Sequence, residues 1–134
     1  MRIDHIAFRT KDRFATANFF IECFNYRIAD DLPDGFEIKF DDNSIAKCLV
    51  LVPSELKHNH APWISEVYHG GEFLQMHMAP EIFISDGDEN SIVGQWVKEN
   101  GSKIHHIAYQ VDDVEKKCKS GKKKGMQNLQ LINH

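Results

Sequence analysis

The sequence predicts an α+β domain built from paired βαβββ modules, the second of them truncated. One six-residue strand pattern occurs twice, as Ile-Asp-His-Ile-Ala-Phe at 3–8 and as Ile-His-His-Ile-Ala-Tyr at 104–109. A helix-forming segment follows each copy. Repetition of a whole strand–helix unit is a strong signal of organisation, and it makes His106 the equivalent of His5.

The first module is expected to open with a strand at 2–9, where apolar side chains alternate. Asp12 is predicted to cap a helix over 13–24 with an apolar stripe, and Asn25 to end it. The stripe consists of Phe14, Ala17, Ile21 and Phe24. Further strands are expected at 36–40, 45–52, 73–78 and 81–85.

Polar residues and Gly70-Gly71 predict a loop over 54–72, with a short helix around Trp63–Tyr68. Ser91 should cap a linker helix that ends at Gly101. A strand at 103–111, a helix after Asp113 and a last strand at 128–132 complete the pattern. The expected organisation is one domain (1–134): a first module at 2–86, a linker helix at 91–101 and an incomplete second module at 103–134.

Composition bounds the function. A chain of 134 residues is one ordinary domain, and its net charge of −4 argues against nucleic acid as a partner. No apolar run approaches the length of a membrane span. Six lysines within 116–124 predict a solvated helix face, with a phosphate- or membrane-binding patch as the alternative.

The three cysteines do not form a disulfide framework, because they are widely spaced and odd in number. A reducing, cytoplasmic location fits this usage. Cys23 and Cys48 are interpreted as small core residues rather than nucleophiles.

His5 and His106 are the candidate metal ligands. Each is the third residue of the repeated strand pattern, on the face opposite the aromatic residue and the second Ile, which should pack under helices. Ala7 and Ala108 share the histidine face and leave space beside it. Neutral imidazole is the commonest protein ligand for transition metals, so a pseudo-two-fold axis between the modules predicts one shared metal site.

Glu81 is the candidate third ligand, since it lies on the face opposite Ile82 in its strand; the alternative is a solvent-exposed carboxylate at a strand end. Strand alternation places His105 on the face opposite His106, as a packing or ligand-orienting residue. His77 lies in a predicted strand and is a candidate for entering the cavity. The histidines at 58 and 60 are expected on the surface.

The segment from Ser91 to Val114, with the two histidine strands and the β-α-β-β-β order, resembles the vicinal oxygen chelate superfamily. The resemblance covers about 2–126 and is greatest to methylmalonyl-CoA epimerase and 4-hydroxyphenylpyruvate dioxygenase. It implies a glyoxalase-like cup around a divalent metal ion that binds substrates through vicinal oxygens.

The resemblance also implies ligands by position. The first-strand histidine corresponds to His5, and the second histidine of the His-His-Ile-Ala motif, His106, is the ligand rather than His105. Glu81 falls at the carboxylate position if one residue is inserted in the following turn; otherwise that position is Ile82, which cannot bind a metal. A further ligand from a later strand of the second module has no counterpart here, which weakens the dioxygenase interpretation more than the epimerase one.

The favoured function is therefore a divalent-metal enzyme, with Fe, Zn, Mn, Co or Ni as the cofactor. Its substrate would be a small keto acid, acyl thioester or other vicinal-oxygen compound, transformed by lyase, isomerase or dioxygenase chemistry. Glu81 or His77 would serve as general base. The alternative is a catalytically incomplete protein of the same fold that binds or sequesters a small molecule. Open sheet edges favour a homodimer in either case.

Overall fold

The computed structural model describes residues 2–54, 64–69, 72–77 and 79–123. Eight strands and three helices occur within these residues. In chain order they are β1 (Arg2–Arg9), α1 (Arg13–Phe24), β2 (Tyr26–Ile28), β3 (Phe36–Lys39), β4 (Ile45–Pro53), β5 (Ile64–His69), β6 (Glu72–His77), β7 (Glu81–Gly87), α2 (Ile92–Asn100), β8 (Lys103–Gln110) and α3 (Val114–Lys123).

Six strands form one mixed sheet in the order β2-β4-β7-β1-β8, with β3 also paired to β4. Strands β1 and β7 are parallel, and β1 and β8 are antiparallel. Strands β5 and β6 form a separate two-stranded sheet. The predicted α+β class is confirmed, and the two copies of the repeated pattern are neighbours at one end of the main sheet.

Helix α1 forms where the sequence predicts it. The Asp12 carboxylate accepts hydrogen bonds from the first-turn backbone N–H groups, and Asn25 ends the helix at φ 57°. The predicted apolar stripe is only partly right, because Ala17 is buried whereas Phe14 and Phe24 are more than half exposed. A helix lying on a sheet buries a narrow stripe, and here the stripe is centred on Ala17, with Phe20 rather than Phe24 in the core.

The core has two layers because β4 is covered on both faces. Leu49 and Leu51 pack with Ile82 and Ile84 of β7 on the α1 side. Val50 and Val52 point to the opposite side, where they pack with Ala29, Phe36 and Phe83. A strand buried on both faces has a continuous apolar sequence, which explains the unbroken run at 48–52.

One predicted helix is wrong. The segment expected to be helical around Trp63–Tyr68 contains strand β5, in which Ile64 pairs with His77 and Val67 with Leu74. β-Branched and aromatic residues favour such a pairing, and only the partner strand reveals it. The expected last strand at 128–132 lies outside the described residues.

The second copy of the repeat is covered differently from the first. Ile6 and Phe8 of β1 pack against the core under α1, as predicted. Their counterparts in β8, Ile107 and Tyr109, are 45% and 57% exposed. Helix α3 follows β8 as predicted but does not bury these side chains, so the expectation that they pack under a helix is wrong. None of the described helices is long and apolar enough to cross a membrane.

Candidate metal centre

His5 and His106 lie together on one face of the sheet. In the antiparallel pairing of β1 with β8, His5 is opposite Ala108 and Ala7 is opposite His106. Each histidine therefore has a methyl group across from it, which leaves the two rings room to approach diagonally. Their centroids are 5.5 Å apart and their planes are inclined at 78°.

The His5 ring is fixed by its surroundings. It is 2% exposed and stacks on the Phe83 ring, with centroids 3.9 Å apart and an interplanar angle of 4°. Its Nδ1 lies 2.9 Å from Oδ2 of Asp4. An ionised carboxylate only accepts hydrogen bonds, so Nδ1 is the donor in this contact, and the tautomer that fits it has its lone pair on Nε2.

A β-bulge places His105 beside His106. Ala7 pairs with His106 while the next residue, Phe8, pairs with Ile104, so His105 is an extra residue in β8. Nδ1 of His105 lies 2.8 Å from Nδ1 of His106. The Trp96 ring in α2 and the His105 ring form a T-shaped pair with centroids 5.1 Å apart. The prediction that His105 faces away from His106 is therefore wrong, since a bulge interrupts the alternation on which it relied.

Electrostatics keep His106 neutral. Burial, and then the neighbouring His105, His5 and Arg9, lower the pKa of His106 to about 4. Burial and Arg9 also lower the pKa of His105. Near neutral pH, His106 therefore carries a lone pair on its ring, which is the form that binds a metal ion.

Glu81 lies on the same face as the histidines, since it is the register partner of His5 in the parallel β1–β7 pair. Its side chain is partly exposed. The two imidazoles are chemically suited to a divalent metal ion and lie next to each other, but the third ligand is not assembled. Within the described residues, no three His, Cys, Asp or Glu side chains form a group that could hold a metal ion.

The positions of the other candidate histidine side chains lie outside the described residues. His77 is the last residue of β6, but its side chain lies outside the described residues, so its entry into the cavity stays a prediction. His58 and His60 also lie outside them.

A cavity of about 60 Å³ adjoins His105 and His106. Its walls are mostly apolar, including Ile38, Phe83 and Val93. Such a volume accommodates roughly two water molecules. It is therefore large enough for a small reacting group such as a carboxylate or thioester carbonyl, but not for a whole coenzyme.

Arg9 also belongs to the site, although it lies just outside the repeated strand pattern. It lines the small cavity and also a larger groove of about 320 Å³ beside α2. Its guanidinium carbon lies 5.9 Å from the Phe40 centroid and 5.7 Å from the Trp96 centroid, within range of cation–π attraction. The strand alternation that selected His5 and Ala7 also places Arg9 on this face, so the signal was present in the sequence.

Comparison with known proteins is consistent with this architecture. The chain matches the Glyoxalase/Bleomycin resistance protein/Dioxygenase superfamily over residues 4–131. Among curated proteins, none matches it. It is similar to a solved methylmalonyl-CoA epimerase of Streptomyces coelicolor, a substituted form in complex with 2-nitronate-propionyl-CoA, with a TM-score of 0.55 and 20% identity over 95% of this chain and 74% of that one.

Two further structures have a TM-score of 0.56 and 17% identity over 92% of this chain. They are the methylmalonyl-CoA epimerase of Mycobacterium tuberculosis, 64% of which is covered, and a hypothetical protein of Bacillus halodurans, 68% of which is covered. These likenesses show the fold. Because the superfamily match spans nearly the whole chain, the protein belongs to the Glyoxalase/Bleomycin resistance protein/Dioxygenase superfamily.

Proposed function

We propose that the protein is a divalent-metal-dependent enzyme of the isomerase type that acts on a small acyl thioester or keto acid. The observation that carries the proposal is the approach of two histidine rings, 5.5 Å apart between centroids, on one face of adjacent strands. His5 and His106 would each supply one imidazole ligand. When bound, the metal ion would act as a Lewis acid toward charge developing on the substrate oxygens.

The third ligand would come from Glu81, since it neighbours His5 on the same face. A rotation of its side chain toward the histidines would complete a three-ligand set with open positions, as catalytic metal sites require. If Glu81 is not a ligand, it or His77 would serve as the general base that removes a proton next to the substrate carbonyl. The identity of the metal is left open among Fe, Zn, Mn, Co and Ni.

The small cavity supports a substrate with an anionic group at its reacting end. The small cavity beside His106 would receive the reacting group, and the rest of the molecule would extend into the groove beside α2. Arg9 lines both spaces. Burial lowers the pKa of Arg9, but a guanidinium stays protonated near neutral pH. It would therefore attract a substrate carboxylate in the small cavity, whereas Asp42 and Glu99, which also line the groove, would disfavour an anionic group there.

An exchange experiment tests this function. The protein, freed of metal and reloaded separately with each of the five ions, is incubated with methylmalonyl-CoA in D2O. The proposal predicts deuterium at the α-carbon, detected by mass spectrometry, with at least one of the ions. It also predicts loss of that exchange in His106→Ala. Absence of exchange with every ion would overturn the proposal for this substrate class.

One observation favours a second candidate, a small-molecule-binding protein without catalysis. No three-ligand group is assembled within the described residues, and a site with two ligands holds metal and substrate less well than a complete one. This candidate predicts binding of the thioester by calorimetry without exchange at its α-carbon. A homodimer, cytoplasmic location and a small-molecule partner remain predictions under both candidates.

A further inference from the structure

The two strands of the repeat carry matching β-bulges. In β1, Ile3 pairs with Tyr109 and His5 pairs with Ala108, so Asp4 is the extra residue, just as His105 is in β8. Asp4 and His105 occupy equivalent positions in the repeat. Each directly precedes one member of the histidine pair.

Both extra residues contact the same atom of the histidine that follows them. Oδ2 of Asp4 lies 2.9 Å from Nδ1 of His5, and Nδ1 of His105 lies 2.8 Å from Nδ1 of His106. A bulge brings two consecutive side chains to one side of a strand, where regular alternation would separate them. The bulges are therefore what makes these contacts possible.

We propose that Asp4 is a positioning residue that fixes the tautomer and orientation of His5 for metal binding; this rests on the proposed metal-dependent function. The carboxylate accepts a hydrogen bond from Nδ1–H, which leaves Nε2 as the nitrogen that would bind the ion. A hydrogen bond from a ligand histidine to a carboxylate also makes the imidazole more basic, and removing such a partner typically costs roughly 10- to 100-fold in metal affinity.

The two candidate ligands, His5 and His106, differ in the group that contacts their Nδ1 atoms. His105 offers His106 an imidazole where Asp4 offers His5 a carboxylate. A neutral imidazole polarises its partner less than a carboxylate does. We therefore expect His5 to be the stronger metal ligand. Replacing His105 with a carboxylate should make His106 a stronger ligand.

A purely structural role for Asp4 is the competing explanation, since a buried histidine N–H needs an acceptor. The two explanations differ for Asp4→Asn. The amide oxygen can still accept a hydrogen bond from Nδ1–H, so a structural role would be preserved, whereas the negative charge beside the ligand ring would be lost. Asp31→Asn, at an exposed turn position, is the charge-matched control.

Two readouts on the full chain test the inference. Ring ¹⁵N spectra of the metal-free protein should show His5 protonated on Nδ1 in the wild type and in Asp4→Asn, with that preference lost in Asp4→Ala. Calorimetric titration with Zn²⁺ should show binding weakened about 10-fold in Asp4→Asn and about 10- to 100-fold in Asp4→Ala. It should be unchanged in Asp31→Asn and tightened in His105→Asp.

The outcomes separate this inference from the proposed function. Wild-type protein that takes up no divalent ion contradicts the function, whereas the ring spectra still decide whether Asp4 sets the His5 tautomer. Wild-type protein that binds Zn²⁺ no more tightly than Asp4→Asn and Asp4→Ala overturns the inference and leaves the function standing. A His5 ring protonated on Nε2 in the metal-free wild type also overturns it.

Discussion

His106 lies directly across from Ala7 in the β1–β8 pairing, and His5 lies across from Ala108. This reciprocal relationship is what an internal repeat produces when its two copies pair antiparallel. It places a small side chain opposite each imidazole. It also brings together two histidines that are far apart in the sequence, at positions 5 and 106. The candidate metal site follows from the pairing of the two repeats.

The pH dependence of stability should report the environment of His106. Its pKa is lowered to about 4 in the folded protein, against 6.5 as the ordinary value. Between these values the unfolded chain binds a proton that the folded protein does not, so stability falls as the pH falls from 6.5 toward 4. For a half-buried ring the contribution is about 1 kcal/mol after allowance for solvent screening.

Urea denaturation of the metal-free protein at several pH values between 4.5 and 7.5 measures this effect. Acidic groups also contribute to the slope, so the comparison is with His106→Gln, which lacks the ionisable ring. The wild type should lose more stability than the variant over this interval. Parallel curves for the two proteins would show that His106 is not held neutral by the fold.

Asp86 should be the main anchor of helix α1 on the sheet. Its carboxylate accepts from the Arg13 backbone N–H at 2.8 Å and from Arg13 Nη1 at 2.9 Å, and both side chains are less than one-fifth exposed. Asp86→Ala removes both bonds and leaves a partly buried guanidinium without its partner, so the free energy of unfolding should fall by about 2 kcal/mol.

Denaturant unfolding checks this value against two comparisons. Asp86→Asn should cost less, because the amide oxygen can still accept from the Arg13 backbone. Asp30→Ala removes an exposed ion pair with Arg27 and should cost no more than about 0.5 kcal/mol. Equal losses for Asp86→Ala and Asp30→Ala would contradict the anchoring role.

The cysteines should differ sharply in reactivity. Cys48 is 3% exposed, and burial raises its pKa to about 12, whereas Cys23 is exposed on α1. Only thiolates react readily, so iodoacetamide at pH 8 should modify Cys23 at least about 100-fold faster than Cys48. Peptide mass spectrometry of protein alkylated before and after unfolding measures both rates. Similar rates for Cys23 and Cys48 in the folded protein would be inconsistent with the buried position of Cys48.

The same residues show what sequence can predict. Period-two alternation and the repeat were sufficient to place His5 and His106 on one face, because each strand alternates regularly from its histidine onward and its bulge lies before that histidine. His105 was placed on the wrong face because its bulge depends on the register of two strands far apart in sequence. The sequence also did not predict the exposure of Cys23 or the strand at Ile64–His69, because both depend on contacts with other parts of the chain. A helix face or a short apolar segment acquires its environment only from the partner that covers it.

Metal uptake by the purified full chain decides whether His5 and His106 share a divalent ion. Metal-free protein is titrated by calorimetry with Fe²⁺, Zn²⁺, Mn²⁺, Co²⁺ and Ni²⁺ in turn, beside His5→Asn, His106→Ala and, as control, His58→Ala, with circular dichroism to verify folding. We expect one ion per chain in the wild type and in the control, and at least about 100-fold weaker binding in the two site variants. Absence of stoichiometric binding of any of these ions, or undiminished binding in both folded site variants, would contradict this expectation.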